Sequence, residues 1–228
     1  MKLTLDGKTI LEIPASAIPD QFKLSSPATK KNAKGEVGPH PEGGKTFLRM
    51  TAMDVAPNGD LYVTDGYASD YVHRFDRNGK YLKSFGGKKE PYGFKTLHKI
   101  AIDTRFTPAR LIGVDRANGR VVHLSLDGDF LGVIASDMLL PAAVAIQGDY
   151  AAIGEIKGQV TILDKAGQIV AKFGTNSNAD QAGKNAPKPD VWIAGTVTAP
   201  HGVAFDAKGN VYVSEYSLFG RVHRFDKI

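Results

Sequence analysis

The chain of 228 residues contains no cysteine, and this absence excludes several kinds of site. Without thiols there is no disulfide framework, thiolate zinc site, iron–sulfur cluster or cysteine nucleophile. Long apolar runs are also missing, since no segment approaches the roughly 18 residues of a membrane span, and we expect no membrane association. Residues 1–8 lack an apolar core, so no signal peptide is visible in this chain and its localisation stays open.

The excess of positive charge is small, with 29 basic and 24 acidic side chains giving a formal net charge of +5. The clearest basic clusters are Lys30, Lys31 and Lys34 in a polar stretch and the pair Lys88 and Lys89. Neither is a basic stripe interleaved with aromatic residues, so we expect no nucleic-acid partner. With 25 glycines and 12 prolines, the composition is that of a turn-rich globular chain.

The chain contains internal repeats with a constant spacing between an acidic residue and a histidine. Asp65, Asp115 and Glu215 each stand eight residues before His73, His123 and His223. Each repeat is a set of short apolar runs separated by Asn-Gly, Asp-Gly, Lys-Gly or Ala-Gly, which is typical of β-hairpins. Four such strands at a period of about 40–50 residues predict the blade of a β-propeller.

We therefore predict an all-β fold and a single propeller domain over residues 1–228. Residues 1–14 form the end of an incomplete blade, and segments 15–47 and 175–198 are long loops. The four blades, the last without a clear fourth strand, are predicted at residues 49–86, 97–134, 139–174 and 199–228. Either the chain closes as a small propeller or it is part of a larger one, and open blade edges predict possible self-association.

Three motifs carry a resemblance to a known family over about residues 49–228. They are Val63–Tyr67 with the following Tyr-Val-His-Arg-Phe, the pair 97–102 and 114–120, and Ala-Pro-His-Gly-Val-Ala-Phe-Asp at 199–206. With them the chain resembles the NHL-repeat propellers and, more narrowly, the peptidyl-α-hydroxyglycine α-amidating lyases and their bacterial relatives. The resemblance implies a six-bladed type of propeller, of which this chain lacks the first one to two blades.

The resemblance also implies a chemistry, the cleavage of peptidyl-α-hydroxyglycine-type carbinolamides to an amide and glyoxylate by a zinc-dependent carbon–nitrogen lyase. His98 and His201 would be zinc ligands, Tyr67 the base that takes the hydroxyl proton, and Arg116 the group that orients or stabilises the resulting charge. The family uses three histidines and a second, early arginine, for which this chain shows no counterparts. We therefore expect this chain to bind zinc weakly and to turn over little or no substrate.

The repeats assign a common position, the residue that opens each innermost strand, to four residues: Met53, His98, Ala142 and His201. Innermost strands line the central channel of a propeller, so imidazoles from different blades can converge there on one metal ion. His40, in Gly-Pro-His-Pro, does not share this position.

The remaining candidate residues have structural interpretations. His73, His123 and His223 recur at one third-strand position, which favours blade packing. Asp65, Asp115 and Glu215 are expected to bind backbone N–H groups of the turns. Trp192, on the second long loop, is expected to fix that loop.

Three classes of function stay open at this point. The first is the lyase, acting on a small-molecule or peptide substrate. The second is a non-catalytic propeller that binds a protein or peptide through its channel face. The third is another propeller enzyme, such as a calcium-dependent lactonase, which needs Glu, Asn and Asp at the inner-strand position. The residues found there disfavour that class, although calcium remains possible as a cofactor.

Overall fold

A computed structural model describes residues 2–39 and 43–227, which are almost entirely β-structure, so His40 lies outside the described residues. The helical elements among them are four 3-10 turns of three residues each. None of the helices in this part of the chain has the length and apolarity needed to cross a membrane. The chain divides into two compact units, Met1–Gly93 and Phe94–Ile228. Whether they make one propeller domain stays a prediction.

The first unit begins with small strand pairs rather than with a blade. Residues 15–47, expected to be a loop, contain two of these pairs and the 3-10 turns Ala15–Ala17 and Asp20–Phe22. The three antiparallel pairs are β1 (Lys2–Leu3) with β2 (Thr9–Leu11), β3 (Leu24–Ser25) with β6 (Thr46–Phe47), and β4 (Thr29–Lys31) with β5 (Val37–Pro39).

The pair β4–β5 shows why this segment lacks a strand signature. The Asn32 side chain accepts hydrogen bonds from the N–H groups of Lys34 and Glu36, which closes the turn. The side chains of β4 are exposed, so the strands carry no alternation of apolar and polar residues. A strand without a buried face is invisible to pattern analysis.

A four-stranded antiparallel sheet completes the first unit, with its strands in sequence order. Its strands are β7 (Ala52–Val55), β8 (Leu61–Thr64), β9 (Tyr71–Phe75) and β10 (Tyr81–Gly86). Apolar side chains from neighbouring strands, among them Tyr62, Val72 and Phe75, are buried. This sheet is a blade of the predicted type.

The second unit consists of three further sheets, in which consecutive strands pair antiparallel. The first contains β11 (Leu97–Asp103), β12 (Arg110–Asp115), β13 (Arg120–Ser125) and β14 (Phe130–Ala135). The second contains β15 (Pro141–Gln147), β16 (Tyr150–Glu155), β17 (Gln159–Leu163) and β18 (Ile169–Phe173). The third contains β19 (Pro200–Phe205), β20 (Val211–Glu215) and β21 (Val222–Phe225).

Within the described residues there are thus three four-stranded sheets and one three-stranded sheet. The all-β propeller fold is confirmed, and the sheet with three strands is the last one, for which the sequence showed no clear fourth strand. In the second unit, β15 contacts β11 on one side and β19 on the other. Apolar clusters fill the space between successive sheets, one around Ile112, Val144 and Ile153 and another around Val160 and Val213.

Buried carboxylates fix the chain as it enters each innermost strand. Each acid at the end of a blade's second strand accepts a hydrogen bond from a backbone N–H that precedes the inner strand. The pairs are Asp65 with Arg49, Asp115 with Lys95, Glu155 with Leu139, and Glu215 with Thr198. The role of Asp65, Asp115 and Glu215 is therefore structural, as predicted, but the N–H groups in these pairs precede the inner strands and do not belong to the turns after the acids. The acids thus set where the inner strands begin.

Candidate functional site

The innermost strands of the second unit each contain a β-bulge at their second residue. In β11, Leu97 pairs with Asp115 and Lys99 pairs with Val114, which makes His98 the extra residue. The same irregularity falls on Ala142 in β15 and on His201 in β19. Because the bulge falls at the same place in all three strands, these three positions are structurally equivalent. A bulge changes the direction of the side chain of its extra residue.

Met53 does not share this position, which corrects the assignment made from the repeats. Strand β7 pairs with β8 without a bulge, and Met53 lies opposite Val63. In register, Met53 therefore corresponds to Val203, which lies opposite Val213 two residues beyond the bulge of β19. The first blade lacks the extra residue, which is His98, Ala142 or His201 in the other three.

The bulges bring His98 and His201 together. Their ring centroids are 4.8 Å apart, and the rings meet edge to face at 88°. With Zn–N bonds of about 2.0–2.1 Å, two imidazoles on one tetrahedral zinc ion have centroids about 5 Å apart. The observed separation therefore suits two ligands of a single ion.

His98 is buried, and its protonation state follows from its surroundings. Its Nδ1 lies 2.7 Å from the backbone oxygen of Ala142, which can only accept, so Nδ1 donates and Nε2 carries the lone pair. Burial lowers the pKa of His98 to about 4, with the bond to Ala142 opposing and the charge of Arg116 adding to the effect. A neutral imidazole oriented by a backbone carbonyl is the usual arrangement of a metal-binding histidine.

His201 is more exposed than His98, yet it is also favoured in its neutral form. Removal of water from around its ring lowers the pKa of His201, and the nearby guanidinium of Arg116 lowers it further. At neutral pH both imidazoles therefore keep a lone pair for a metal ion or a proton.

Arg116 supplies the positive charge beside the two histidines. It opens the 3-10 turn Arg116–Asn118 directly after β12, and its N–H donates to the carbonyl of Thr96 at 3.0 Å. The carbonyl that it binds belongs to the residue two before His98, and the charge of Arg116 lowers the pKa of both His98 and His201. Such a position suits an anionic ligand group, such as a carboxylate.

Tyr67 lies in the first unit, in the loop between β8 and β9. Its N–H donates to the carbonyl of Arg49 at 3.3 Å, and the residue is 46% exposed. The structure thus places three of the four predicted site residues together in the second unit. The metal-binding and catalytic roles of all four residues stay predictions.

Sequence reasoning missed Tyr216, whose ring centroid lies 5.8 Å from that of His201. Tyr216 directly follows the acid at the end of β20, as Arg116 follows the acid at the end of β12. Both residues donate their N–H to a carbonyl that precedes the adjacent inner strand, Thr96 for Arg116 and Ala199 for Tyr216. The position after each repeated acid was the signal that could have revealed it.

The histidine pair offers only part of a catalytic zinc site. Residues 2–39 and 43–227 contain no group of three or more His, Cys, Asp or Glu side chains arranged to hold a metal ion. A catalytic zinc site ordinarily has three protein ligands and an open position. His98 and His201 fit the ion in chemistry and spacing as two of those ligands.

Comparison with known proteins supports the resemblance seen in the motifs. No family model matches the chain. It is 28% identical over 214 residues to peptidyl-alpha-hydroxyglycine alpha-amidating lyase 1 of Drosophila melanogaster, a match that covers 81% of this chain and 36% of the relative. The chain resembles these lyases in sequence. It spans about a third of the length of that curated relative.

Solved structures with the same architecture have little sequence in common with this lyase-like chain, so they show its fold alone. Virginiamycin B lyase from Staphylococcus aureus superimposes with a TM-score of 0.53 at 15% identity, covering 99% of this chain and 76% of the other. A chain of the nidogen–laminin complex gives 0.52 at 14% identity, covering 87% and 73%. Both neighbours are propeller proteins, which agrees with the blades described above.

Proposed function

We propose that this chain contributes to a lyase site that cleaves peptidyl-α-hydroxyglycine-type carbinolamides to an amide and glyoxylate. The observation that carries the proposal is the meeting of the His98 and His201 rings, with the backbone of Arg116 bonded to Thr96, two residues before His98. Their motifs are those by which the chain resembles the amidating lyases, and the curated relative carries that activity in its name.

His98 and His201 would hold a zinc ion through one nitrogen each. When bound, zinc supplies Lewis acidity and lowers the pKa of a coordinated hydroxyl group. The neutral state of both imidazoles suits them to this task, because a protonated imidazole has no lone pair to donate. With two of the usual three protein ligands, affinity for zinc is expected to be weak.

The reaction requires one proton transfer and one bond cleavage. The hydroxyl proton of the carbinolamide leaves, its C–O bond becomes the carbonyl of glyoxylate, and the C–N bond breaks. The nitrogen takes up a proton and departs as the primary amide, so atoms and charge balance. A general base is needed at the hydroxyl, and Tyr67 is our candidate, on the resemblance alone.

Arg116 would bind the substrate carboxylate, which is retained in glyoxylate. A charge-assisted hydrogen bond to a carboxylate contributes about 1.5–3 kcal/mol, or about 10–100-fold in binding. The N–H of Arg116 donates to the carbonyl of Thr96, two residues before His98. A carboxylate bound to Arg116 would therefore lie near the start of the strand that carries His98.

The test is glyoxylate release from N-benzoyl-α-hydroxyglycine with added zinc. We expect slow, zinc-stimulated release, a kcat/KM about 10–100-fold lower for Arg116→Gln, and no loss for Arg224→Gln. Arg224 is a suitable control because it lies in β21 and pairs with exposed Asp226. Tyr67→Phe is expected to lower kcat more than it raises KM.

The competing function is a non-catalytic propeller that binds a peptide or protein. Saturating zinc compensates for the weak zinc binding that underlies the low turnover expected from the sequence. Folded chain that still releases no glyoxylate above the protein-free rate under this condition would contradict the lyase proposal. Release that Arg116→Gln and Arg224→Gln diminish equally would contradict the role given to Arg116.

A further inference from the structure

A loop of exposed apolar side chains begins at the histidine pair and continues away from it. This apolar loop, residues 216–219, joins β20 to β21. Tyr216, Leu218 and Phe219 are 58%, 70% and 46% exposed. Large apolar side chains clustered on a surface beside a candidate site are typical of ligand contacts.

The apolar loop is tied to the second long loop of the chain. The N–H of Leu218 donates to the carbonyl of Asn185 at 2.9 Å. Just beyond the loop, Arg221 donates to the carbonyl of Ile193 at 3.1 Å, and its guanidinium lies 4.7 Å from the ring centroid of Trp192. These contacts hold the loop backbone in place while leaving its apolar side chains exposed.

Tyr216 links this surface to the site. Its ring packs against His201, and Leu218 and Phe219 follow within three residues. The loop sequence Tyr-Ser-Leu-Phe carries no charge, in contrast to Arg116 beside the pair. A ligand complementary to both regions has an anionic end and an uncharged, apolar end.

We propose that the apolar loop is the specificity-determining surface for the acyl part of the substrate. The assignment rests on the proposed function: the carboxylate of the hydroxyglycine unit binds Arg116, and a large apolar residue preceding it packs on Tyr216, Leu218 and Phe219. Substrates with Phe or Leu at that position are favoured over those with Ser, Asp or Glu. Peptides with charged residues there meet no complementary charge within the loop.

The experiment measures binding rather than turnover, with the stable analogues N-benzoylglycine, N-acetylglycine and N-succinylglycine. Titrations followed by NMR use the whole chain with and without zinc. Burial of one aromatic ring corresponds to about 10–100-fold in affinity. We expect N-benzoylglycine to bind tighter than the other two by about that factor.

Substitutions in the apolar loop test which side chains produce the preference for the benzoyl group. The double variant Leu218→Ser, Phe219→Ser is expected to lower the preference for the benzoyl group by about tenfold. Tyr216→Leu should retain part of it, since an apolar side chain remains. Leu131→Ser is the control, because Leu131 in β14 is 48% exposed and lies outside the loop. Far-UV circular dichroism checks that each variant is folded.

Equal affinity for the three analogues, or a preference unchanged in the double variant, would overturn the proposal. A second copy of the chain is the other candidate occupant of the apolar loop, and sedimentation tests it. A dimeric wild type and a monomeric double variant would assign the loop to contact between two copies of the chain and overturn the proposal. An apolar preference without glyoxylate release would refute the proposed reaction and leave the binding surface standing. Release without any acyl preference would refute the surface alone.

Discussion

At the scale of single residues, the position of a histidine within a blade decides its chemistry. The third-strand histidines are held by their own sheets, His123 near Asp103 at 3.1 Å and His223 near Glu215 at 2.8 Å. Burial raises the pKa of Glu215, but hydrogen bonds from His223 and Thr198 outweigh burial and hold this pKa below its ordinary value. These histidines are structural, as their repetition predicted, whereas the bulge histidines face each other.

His73 differs from the other third-strand histidines because its partner is a hydroxyl group rather than a carboxylate. Its Nδ1 lies 2.7 Å from the hydroxyl oxygen of Ser84, and its Nε2 is buried without a hydrogen-bond partner among the described residues. Burial, and to a smaller extent the charge of Lys23, lowers the pKa of His73 to about 4. The folded state therefore favours the neutral ring.

This shift predicts a loss of stability in acid. Between pH 6.5 and about 4 the unfolded chain binds the proton more readily than the folded one, so stability falls as the pH drops through that window. From pH 7 to pH 5 His73 should contribute a loss of about 2 kcal/mol in the free energy of unfolding. Urea denaturation at pH 7 and pH 5 measures this loss. Between the two pH values, the free energy of unfolding should fall by about 2 kcal/mol less in His73→Gln than in the wild type. Equal losses in the two proteins would refute the assignment.

At the scale of strands and turns, the sequence predicted the blades better than their irregularities. The constant spacing from Asp115 to His123 and from Glu215 to His223 fixes the pairing of second and third strands, so the hairpins followed directly. The bulge at His98 has no such signature, because an extra residue shows only in the pairing register. Met53 was misplaced for this reason.

Tyr216 was missed for a different reason. The acids that end the second strands repeat from blade to blade, and this repetition indicates a structural role for the acids alone. The next residue differs in every blade, Arg116 in one and Tyr216 in another, so its position after a repeated acid identifies it, whereas a repeated residue type does not.

The blade turns give a prediction about close packing. Gly167 and Gly148 both have positive φ, at 84° and 55°. A Cβ at Gly167 would lie 2.3 Å from the backbone oxygen of Ile134, whereas one at Gly148 would meet no atom within 4 Å. Gly148→Ala should cost about 1–2 kcal/mol of stability from backbone strain, and Gly167→Ala a further 1–3 kcal/mol or so from overpacking. Thermal unfolding with equal losses for both variants would contradict this account.

At the scale of the whole molecule, composition and repeats were sufficient to predict an all-β propeller architecture. They were insufficient for residues 15–47, where the strands β3–β6 are short and mostly exposed. They also left open the number of complete blades, because β21 ends the last sheet at three strands among the described residues. What sequence predicts here is the repeated core, since burial imposes a pattern only there.

The central claim is that the two bulge histidines bind one metal ion, and a zinc titration against a chromophoric chelator tests it most directly. We expect one weakly held zinc per wild-type chain, and an affinity lowered by about 100-fold or more in His98→Ala and in His201→Ala. His223→Gln, which alters a third-strand histidine, should bind zinc as the wild type does. Wild-type affinity in either bulge variant, with the fold intact, would contradict the account.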